Sequence, residues 1–520
     1  MTSPLRKTSI PEATFLTWLA SLGLAIDMAN GAPETTVLRG TWVAVVAARE
    51  LGLSPEDTAA ATFGALFRYL GCTSYAYEES ELLGDEHEAA RIFAPLDKSE
   101  PGPILRALAS DLAPSDGPFD RALRAARILA KGTDFADGYE KSHCEGAVLL
   151  SSRLAVRPSV TAVLSALHER WDGAGGPSKL ARTAIPLAAR VVHLAREATV
   201  HFVLRGGEVG VVRCLERRAK GQLDPDMCRA LASSPAFLRA FQEEPLWDNV
   251  LTSLAASFEL AFTARPSLED VACVFGDFAD QKSPVFLGHS RKVASLVAGA
   301  ANVLGLDPVR TTCLVRAAWL HDIGRVSVPN RVWQTKGPLG PIEWEKVRLH
   351  PYVGERICQH LDSGLGRLVG AHHERVDGSG YASGQRADLL VGVLAAADVY
   401  AALGQDRPHR ERLGEDARRA ALEREATEGR LPAEAVRAVL ASDGHSLERG
   451  GSAPVESLSV REREVLSLVA RGLSNKEVAT TLGISARTVQ THTIHAYDKL
   501  GVRTRAGAAL RASELGLLGG

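Results

Sequence analysis

Apolar residues recur at three- and four-residue spacing along almost the whole chain, with few β-branched runs, so the pattern predicts helices rather than strands. Leu314 to Gly324 reads as an apolar helix that carries the pair His321-Asp322 near its end. Small Ala317 and Ala318 let neighbouring helices approach, and Gly324 fits a helix C-terminus. His289 begins an earlier helix just after Gly288, and Asp398 sits inside the apolar stretch Val393 to Val399. A carboxylate in such a helix is costly unless it is paired or metal-bound. Breaks in the pattern are predicted near 95–120 (Pro95, Pro101, Pro103, Pro114, Pro118), near 265–285, and at Gly450-Gly451-Ser452-Ala453-Pro454. The last reads as a short linker, 450–457.

The chain also repeats itself. His168-Glu169-Arg170-Trp171-Asp172-Gly173 resembles His373-Glu374-Arg375-Val376-Asp377-Gly378. Upstream, Leu51-Gly52-Leu53 pairs with Leu304-Gly305-Leu306; downstream, Leu215-Glu216-Arg217 and Leu223 pair with Leu422-Glu423-Arg424 and Leu431. Three matches in one order argue for two copies of a helical unit, roughly 30–240 and 285–445. The copies differ where chemistry is expected. His289 aligns with Thr36, His321-Asp322 with Arg68-Tyr69, His372 with Leu167, and Asp398 falls near Arg196, so only His168 and His143 survive in the first. Arg68 would repel a metal ion, and the first copy reads as a scaffold or ligand-sensing partner.

At 520 residues the chain is too long for one core, and about three domains is the expectation from length. Hydrophobic residues at 45% and charged residues at 23% are ordinary for a globular protein, and a net charge of −2 gives no global sign of nucleic-acid binding. The seven cysteines are scattered and never spaced as CxxC, which points to a reduced, cytoplasmic protein without thiolate zinc. Met1 to Ile10 lacks a charged-then-apolar leader pattern, and no uncharged apolar run reaches membrane-span length, so no membrane partner is expected.

Between residues 289 and 398 stand seven candidate metal ligands: His289, His321, Asp322, His350, His372, His373 and Asp398. Imidazole and carboxylate together suit borderline divalent metals, and a shared Asp can bridge two ions that clamp a phosphate. The series resembles the HD superfamily of metal-dependent phosphohydrolases, whose His…His-Asp…Asp pattern is met by His289, His321-Asp322 and Asp398. It further resembles the HD-GYP subfamily, through His350, His372-His373 with the loop Glu374 to Ala382, and Arg407-Pro408-His409-Arg410. The resemblance implies two divalent ions, iron or manganese. One would be held by His289, His321, Asp322 and Asp398, the other by Asp322, His350, His372 and His373. It also implies hydrolysis of a phosphodiester such as cyclic di-GMP, with Asp322 and Arg325 as catalytic residues. Arg375, Asp377, Gly378 and Tyr381 would shape the substrate loop; equally, Asp377-Gly378 and Gly380 could simply make a tight turn. Three positions depart from the family: Ala382 replaces its loop proline, Arg325 its lysine, and Val285 a third-metal Glu.

The C-terminal segment is separate in character. Ser459 with Glu462 is a capping box, Gly472 ends the first helix, Ser474 starts a second, Gly483 turns the chain, and Ser485 caps a helix from Ala486 to Leu500. This is a helix-turn-helix pattern. Local charge agrees, since Arg461, Arg463, Arg471, Lys476, Arg487, Lys499, Arg503, Arg505 and Arg511 outnumber the five acidic residues. Residues 458–515 closely resemble the LuxR-type family. That resemblance implies Gln490 and Thr491 at base edges, and Lys476, Arg487 and Thr488 on phosphates.

The expected protein is all-α. It comprises a degenerate HD-like domain (1–245), an HD-GYP-like domain (246–449), a linker (450–457) and a LuxR-type domain (458–520). It is expected to be a cytoplasmic transcription regulator with phosphodiesterase activity, pairing as a homodimer on DNA. The competing reading is a regulator that binds metal and nucleotide without turnover.

Overall fold

The structure, a computed structural model, describes residues 12–112, 117–219, 221–443 and 458–518. Among them every regular element is a helix and no strand forms. The linker expected at 450–457 lies outside the described residues. Ser54, Asp85, Asp224, Ser267, Asp307, Asp362 and Asp388 each accept a hydrogen bond from a backbone N–H of the first turn that follows. Those side chains satisfy donors that have no intrahelical partner.

Two details differ from the pattern-based expectation. The stretch near 265–285, read as a break, holds helix Leu268–Asp280, capped by a Ser267–Asp270 box and buried through Val271, Val274, Phe275 and Phe278. Pro266 and Pro284 mark its two ends rather than a loop. Helix Pro308–Leu320 stops before Gly324, which lies instead in the 3₁₀ turn Ile323–Ser327.

The helix order of the first half recurs in the second. Helices Thr36–Glu50, Pro55–Phe67, Pro158–Ser165 and Leu187–Leu204 correspond to His289–Val303, Pro308–Leu320, Ser363–Ala371 and Leu389–Leu403, and in each half the first packs on the second and fourth. Glycines fix the register. A Cβ added at Gly71 would lie 2.0 Å from the carbonyl oxygen of His143, and one at Gly324 would lie 2.0 Å from that of His350. Likewise Gly175 crowds the His168 carbonyl and Gly380 that of His373. The backbone bond from Trp171 N to Gln222 O matches that from Val376 N to Arg430 O.

One continuous apolar core runs from Phe15 to Leu440 through both halves. Helix Glu12–Ala29 packs on elements of each half, and Phe15 meets Phe258 and Phe262 edge-on at 5.5 and 6.1 Å. Lys282, fully buried, ties the halves together by pairing with Glu86 at 2.9 Å, while Glu86 accepts the backbone N–H of Asn330.

The C-terminal helices Val460–Ala470, Asn475–Leu482, Ala486–Leu500 and Arg505–Glu514 carry two small cores of their own. The last of them docks on the long helix Pro118–Ser152. Glu145 accepts the N–H of Arg503 at 2.7 Å and the Thr504 hydroxyl, and Arg153 bridges Asp277 and Glu514.

A methyl group at Gly71 has no space without moving the His143 helix. Gly71→Ala should therefore destabilise the protein by about 1–3 kcal/mol, read from denaturant midpoints; an unchanged midpoint would contradict the packing described.

Candidate metal centre

Three of the five histidines reach the centre by the same local device. His321, His350 and His372 follow a helix end or lie near one, and each ring Nδ1 meets the carbonyl three residues back: Ala318 at 2.8 Å, Val347 at 2.6 Å and Val369 at 2.6 Å. Those carbonyls belong to last helical turns, where acceptors have no partner within the helix. The bond fixes each ring so that Nε2 points inward, an orientation suited to ligation. His289 is held differently, its Nδ1 lying 3.0 Å from the side-chain oxygen of Gln405.

All seven expected side chains converge. They form two groups that share Asp322: His289, His321, Asp322 and Asp398, and Asp322, His350, His372 and His373. The shared carboxylate faces both ways. Its Oδ2 is 2.9 Å from His321 Nε2 and 3.4 Å from His289 Nε2, while its Oδ1 is 3.4 Å from His350 Nε2 and 3.6 Å from His372 Nε2. Asp398 Oδ1 lies 3.0 Å from His289, and its Oδ2 lies 3.9 Å from His373. His289, His321 and His372 are fully buried, and Asp322 and His350 almost so.

Burial disfavours the charged form of an acid or a base, so a shift that runs against it reports a neighbouring charge or hydrogen bond. Asp322 is buried, yet Arg325 and His321 hold its carboxyl well below the usual range. Asp398 is likewise depressed against burial, by His289 and His321. The same carboxylates lift His321 to about 10 against its own burial. Burial takes His372 down to about 4, and burial first, then the neighbouring His372, holds His373 well below the ordinary histidine value. The set offers two anionic carboxylates, with His372 and His373 held toward the neutral form that ligates divalent cations, whereas His321 must give up a proton to do so. Asp322 Oδ1 and His373 Nε2 are buried without a hydrogen-bond partner, which fits donors directed at a cation.

The flanking residues divide. Tyr381 stacks on His373 at 4.5 Å between ring centroids, with Trp344 edge-on to it at 6.0 Å. Arg325 pairs with Asp322 and lies over Phe286. Arg375 turns away to the Glu374 carbonyl and toward Glu425, and exposed Asp377 accepts from Ser379 in a turn where Gly378 has φ +79°. Ala382 holds φ +97°, a conformation closed to the proline the family places there.

Three residues near the centre were given no role by sequence reasoning. Gln405 orients His289. Glu374, fully buried, accepts from Ser383 N, Ser383 Oγ and Gly384 N and so pins the loop. Arg407 lies over Phe286 beside Arg325, and burial with that like charge lowers it to about 9. Glu374 and Arg407 each stood inside a motif that matched the HD-GYP pattern, whereas Gln405 carried no signal.

In the first half the counterparts of these ligands do not form such a centre. His143 Nε2 lies 3.0 Å from the Arg68 carbonyl, and its Nδ1 lies 2.9 Å from His168 Nε2, so the surviving histidines satisfy each other. A further group, Glu197, His201 and Cys214, comes within ligating distance, but Arg196 and Arg218 already face Glu197.

In the C-terminal unit the expected capping box at Ser459–Glu462 forms, Ser474, expected to start the second helix, does so through a further box with Glu477, and Ser485 caps helix Ala486–Leu500. Lys476, Arg487, Thr488, Gln490 and Thr491 are all exposed. Arg487, Gln490 and Thr491 share one hollow with Asn475, Ala486 and Ile494, whereas Thr488 bonds back to Ser485.

Residues 274–431 match the HD domain family, and residues 456–512 match the family of bacterial regulatory proteins of the luxR type. The chain thus joins a phosphohydrolase-type HD domain to a LuxR-type helix-turn-helix. It is similar to 3'3'-cGAMP-specific phosphodiesterase 3 of Vibrio cholerae, at 28% identity over 75% of this chain and 86% of that protein. It resembles the cyclic di-GMP phosphodiesterase response regulator RpfG of Xanthomonas campestris, at 34% identity over 30% of this chain and 43% of that protein. The crystal structure of the Vibrio cholerae cyclic GMP-AMP phosphodiesterase V-cGAP3 shares the fold, with a TM-score of 0.51 and 24% identity over 83% of this chain and 99% of that one. No described helix is long and apolar enough to cross a membrane.

Glu374→Ala removes the acceptor for three donors. It should cost about 1–3 kcal/mol of stability in chemical denaturation, and a loss near zero would show that the loop is held by other contacts.

Proposed function

We propose that the second half hydrolyses a cyclic dinucleotide of the 3'3'-cGAMP or cyclic di-GMP class, and that the C-terminal unit binds DNA. The two oxygens of Asp322, each turned to a different histidine group, carry this reading. His289, His321, Asp322 and Asp398 would hold one divalent ion, and Asp322, His350, His372 and His373 a second; iron or manganese suits this N/O set. When bound, such ions supply Lewis-acid charge and activate water for attack on phosphorus.

The chain's own residues do the rest. Arg325 and Arg407 place two guanidiniums beside the centre, with charge available to phosphate oxygens. Tyr381 and Trp344 offer aromatic faces at the mouth for a nucleobase. Gln405 and the helix-end carbonyls keep the imidazoles aimed, so little reorganisation is needed on binding.

On the C-terminal unit, Arg487, Gln490 and Thr491 would enter the major groove, Gln490 reading adenine, while Lys476 and Thr488 hold phosphates. Two chains would pair on a two-fold site. The docked helix Arg505–Glu514 gives a route between the two activities. Leu287, two residues before His289, packs into its core, and Arg153 links Glu514 to Asp277. Occupancy of the metal centre would then shift the DNA-binding unit.

A second reading has one observation in its favour. Arg325, where the family has lysine, pairs directly with the shared Asp322, and this suits a protein that binds metal and nucleotide without turning over.

Metal analysis coupled to turnover on the full-length protein separates the two readings. Hydrolysis of 3'3'-cGAMP or cyclic di-GMP that is abolished by Asp322→Asn, together with loss of metal from that variant, is the expected result. Tight nucleotide binding with no turnover of either, or of a generic phosphodiester, would establish the sensor. His350→Ala should halve the metal content, and full content would remove His350 from the ligand set. For DNA, affinity should fall steeply with salt, and Arg153→Ala should change it; a salt-insensitive complex would refute the phosphate contacts.

A further inference from the structure

The first half carries a cavity where the second carries its metal centre. Thr36, Val37, Gly40, Ala65, Arg68, Tyr69, Val192, Arg196, Thr199 and Val200 enclose it. Among these, Thr36, Arg68, Tyr69 and Arg196 stand at the positions of His289, His321, Asp322 and Asp398. The register set by Gly71 and Gly324 confirms the two inner pairs.

Arg68 is the unusual member. Only 7% of it is exposed. Its Nη2 donates to the Leu167 carbonyl at 3.1 Å, but Nε and Nη1 are buried without a partner. No carboxylate pairs with it. Glu197 is engaged by Arg196 and accepts from Gln222 at 3.0 Å, with Arg218 at 3.7 Å. Burial lowers the Arg68 pKa, yet a guanidinium remains charged at neutral pH. The cavity is therefore left with a buried guanidinium that Glu197 and Tyr69 answer only in part, and with two donors that have no hydrogen-bond partner, an arrangement that costs stability unless an anion completes it.

The other polar walls also present donors. Thr199 Oγ1 is buried with no partner. The Tyr69 hydroxyl accepts from Arg196 Nε at 3.1 Å, which leaves its own hydrogen free to donate. Apart from Arg196 and from Thr36, whose hydroxyl donates to the Pro33 carbonyl, the remaining lining is Val, Ala and Gly. The cavity measures about 30 Å³, on a scale where one water needs about 10–15 Å³. That is space for about two or three heavy atoms, enough to seat the inward oxygens of one small oxyanion with the rest of the group at the open side, and too little for a whole nucleotide.

We propose that this cavity binds a single phosphate group, held by Arg68 with Thr199 and Tyr69. The phosphate is either free orthophosphate or the terminal phosphate of a nucleotide whose remainder lies outside the mouth at Thr36 and Gly40. Where the second half gathers anionic ligands to hold cations, the first half substitutes a fixed cation and so takes an anion directly. The inference stands on the first half alone and is independent of turnover in the second.

The test is calorimetric titration of orthophosphate into full-length protein stripped of metal by a chelator, with 5'-GMP titrated in parallel. One saturable site per chain is expected, weakened at least tenfold by Arg68→Gln and less by Arg68→Lys, which keeps the charge. Thr199→Val should weaken it several-fold, and His350→Ala should leave it intact. Phosphate should also raise the melting temperature of the parent and not that of Arg68→Gln. Competition by 5'-GMP identifies a nucleotide phosphate, and its failure to compete identifies orthophosphate. Should Arg68→Gln not fold, Arg68→Lys and Thr199→Val decide. No saturable binding of either anion, equal affinity in Arg68→Gln, or loss of binding in His350→Ala would overturn the proposal.

Discussion

Two carboxylates, Asp322 and Asp398, lie in an otherwise apolar helical core, and the architecture of the second half follows from answering their charge. Leaving a carboxylate unanswered there would cost more than the whole stability margin of a typical domain. Five imidazoles and Arg325 surround the pair, and three of the imidazoles are aimed by carbonyls that a helix end leaves spare. Local helix termination thus does chemical work: the chain ends a helix, frees an acceptor, and uses it to point a ligand.

The first half shows the same scaffold with the demand removed. Gly71 meets the His143 backbone as Gly324 meets that of His350, so the helices are spaced alike. Without an acidic pair to neutralise, His143 and His168 turn to each other and Arg68 takes the central position. A shared core from Phe15 to Leu440 makes the two halves one folded body. Substitutions in the first half can therefore reach the second through helix Glu12–Ala29 and the buried Lys282–Glu86 pair.

The C-terminal unit is attached through polar contacts at Glu145 and Arg153, through an apolar patch that takes in Leu149 and Leu287, and through Leu510, which is buried in the main core. Its placement beside Leu287 and His289 brings the helix-turn-helix unit next to the candidate metal centre, and the outward residues of helix Ala486–Leu500 stay exposed in the docked arrangement.

Much of this was legible in the chain. Periodicity gave the helical class, the capping residues gave the starts of the C-terminal helices, and the ordered histidines and aspartates marked the centre, because these signals reside in residues near one another or in side chains whose chemistry is distinctive. Proline spacing misled near 265–285, since Pro266 and Pro284 flank a buried helix and composition does not separate a cap from a break. Tertiary structure alone decided that Asp322 turns one oxygen to each histidine group, that Gln405, Glu374 and Arg407 stand beside it, that Arg375 and Asp377 turn away, and that Arg68 closes over a cavity without a counter-ion. Each of these depends on distances across helices far apart in sequence, and the packing of one helix on another sets such distances.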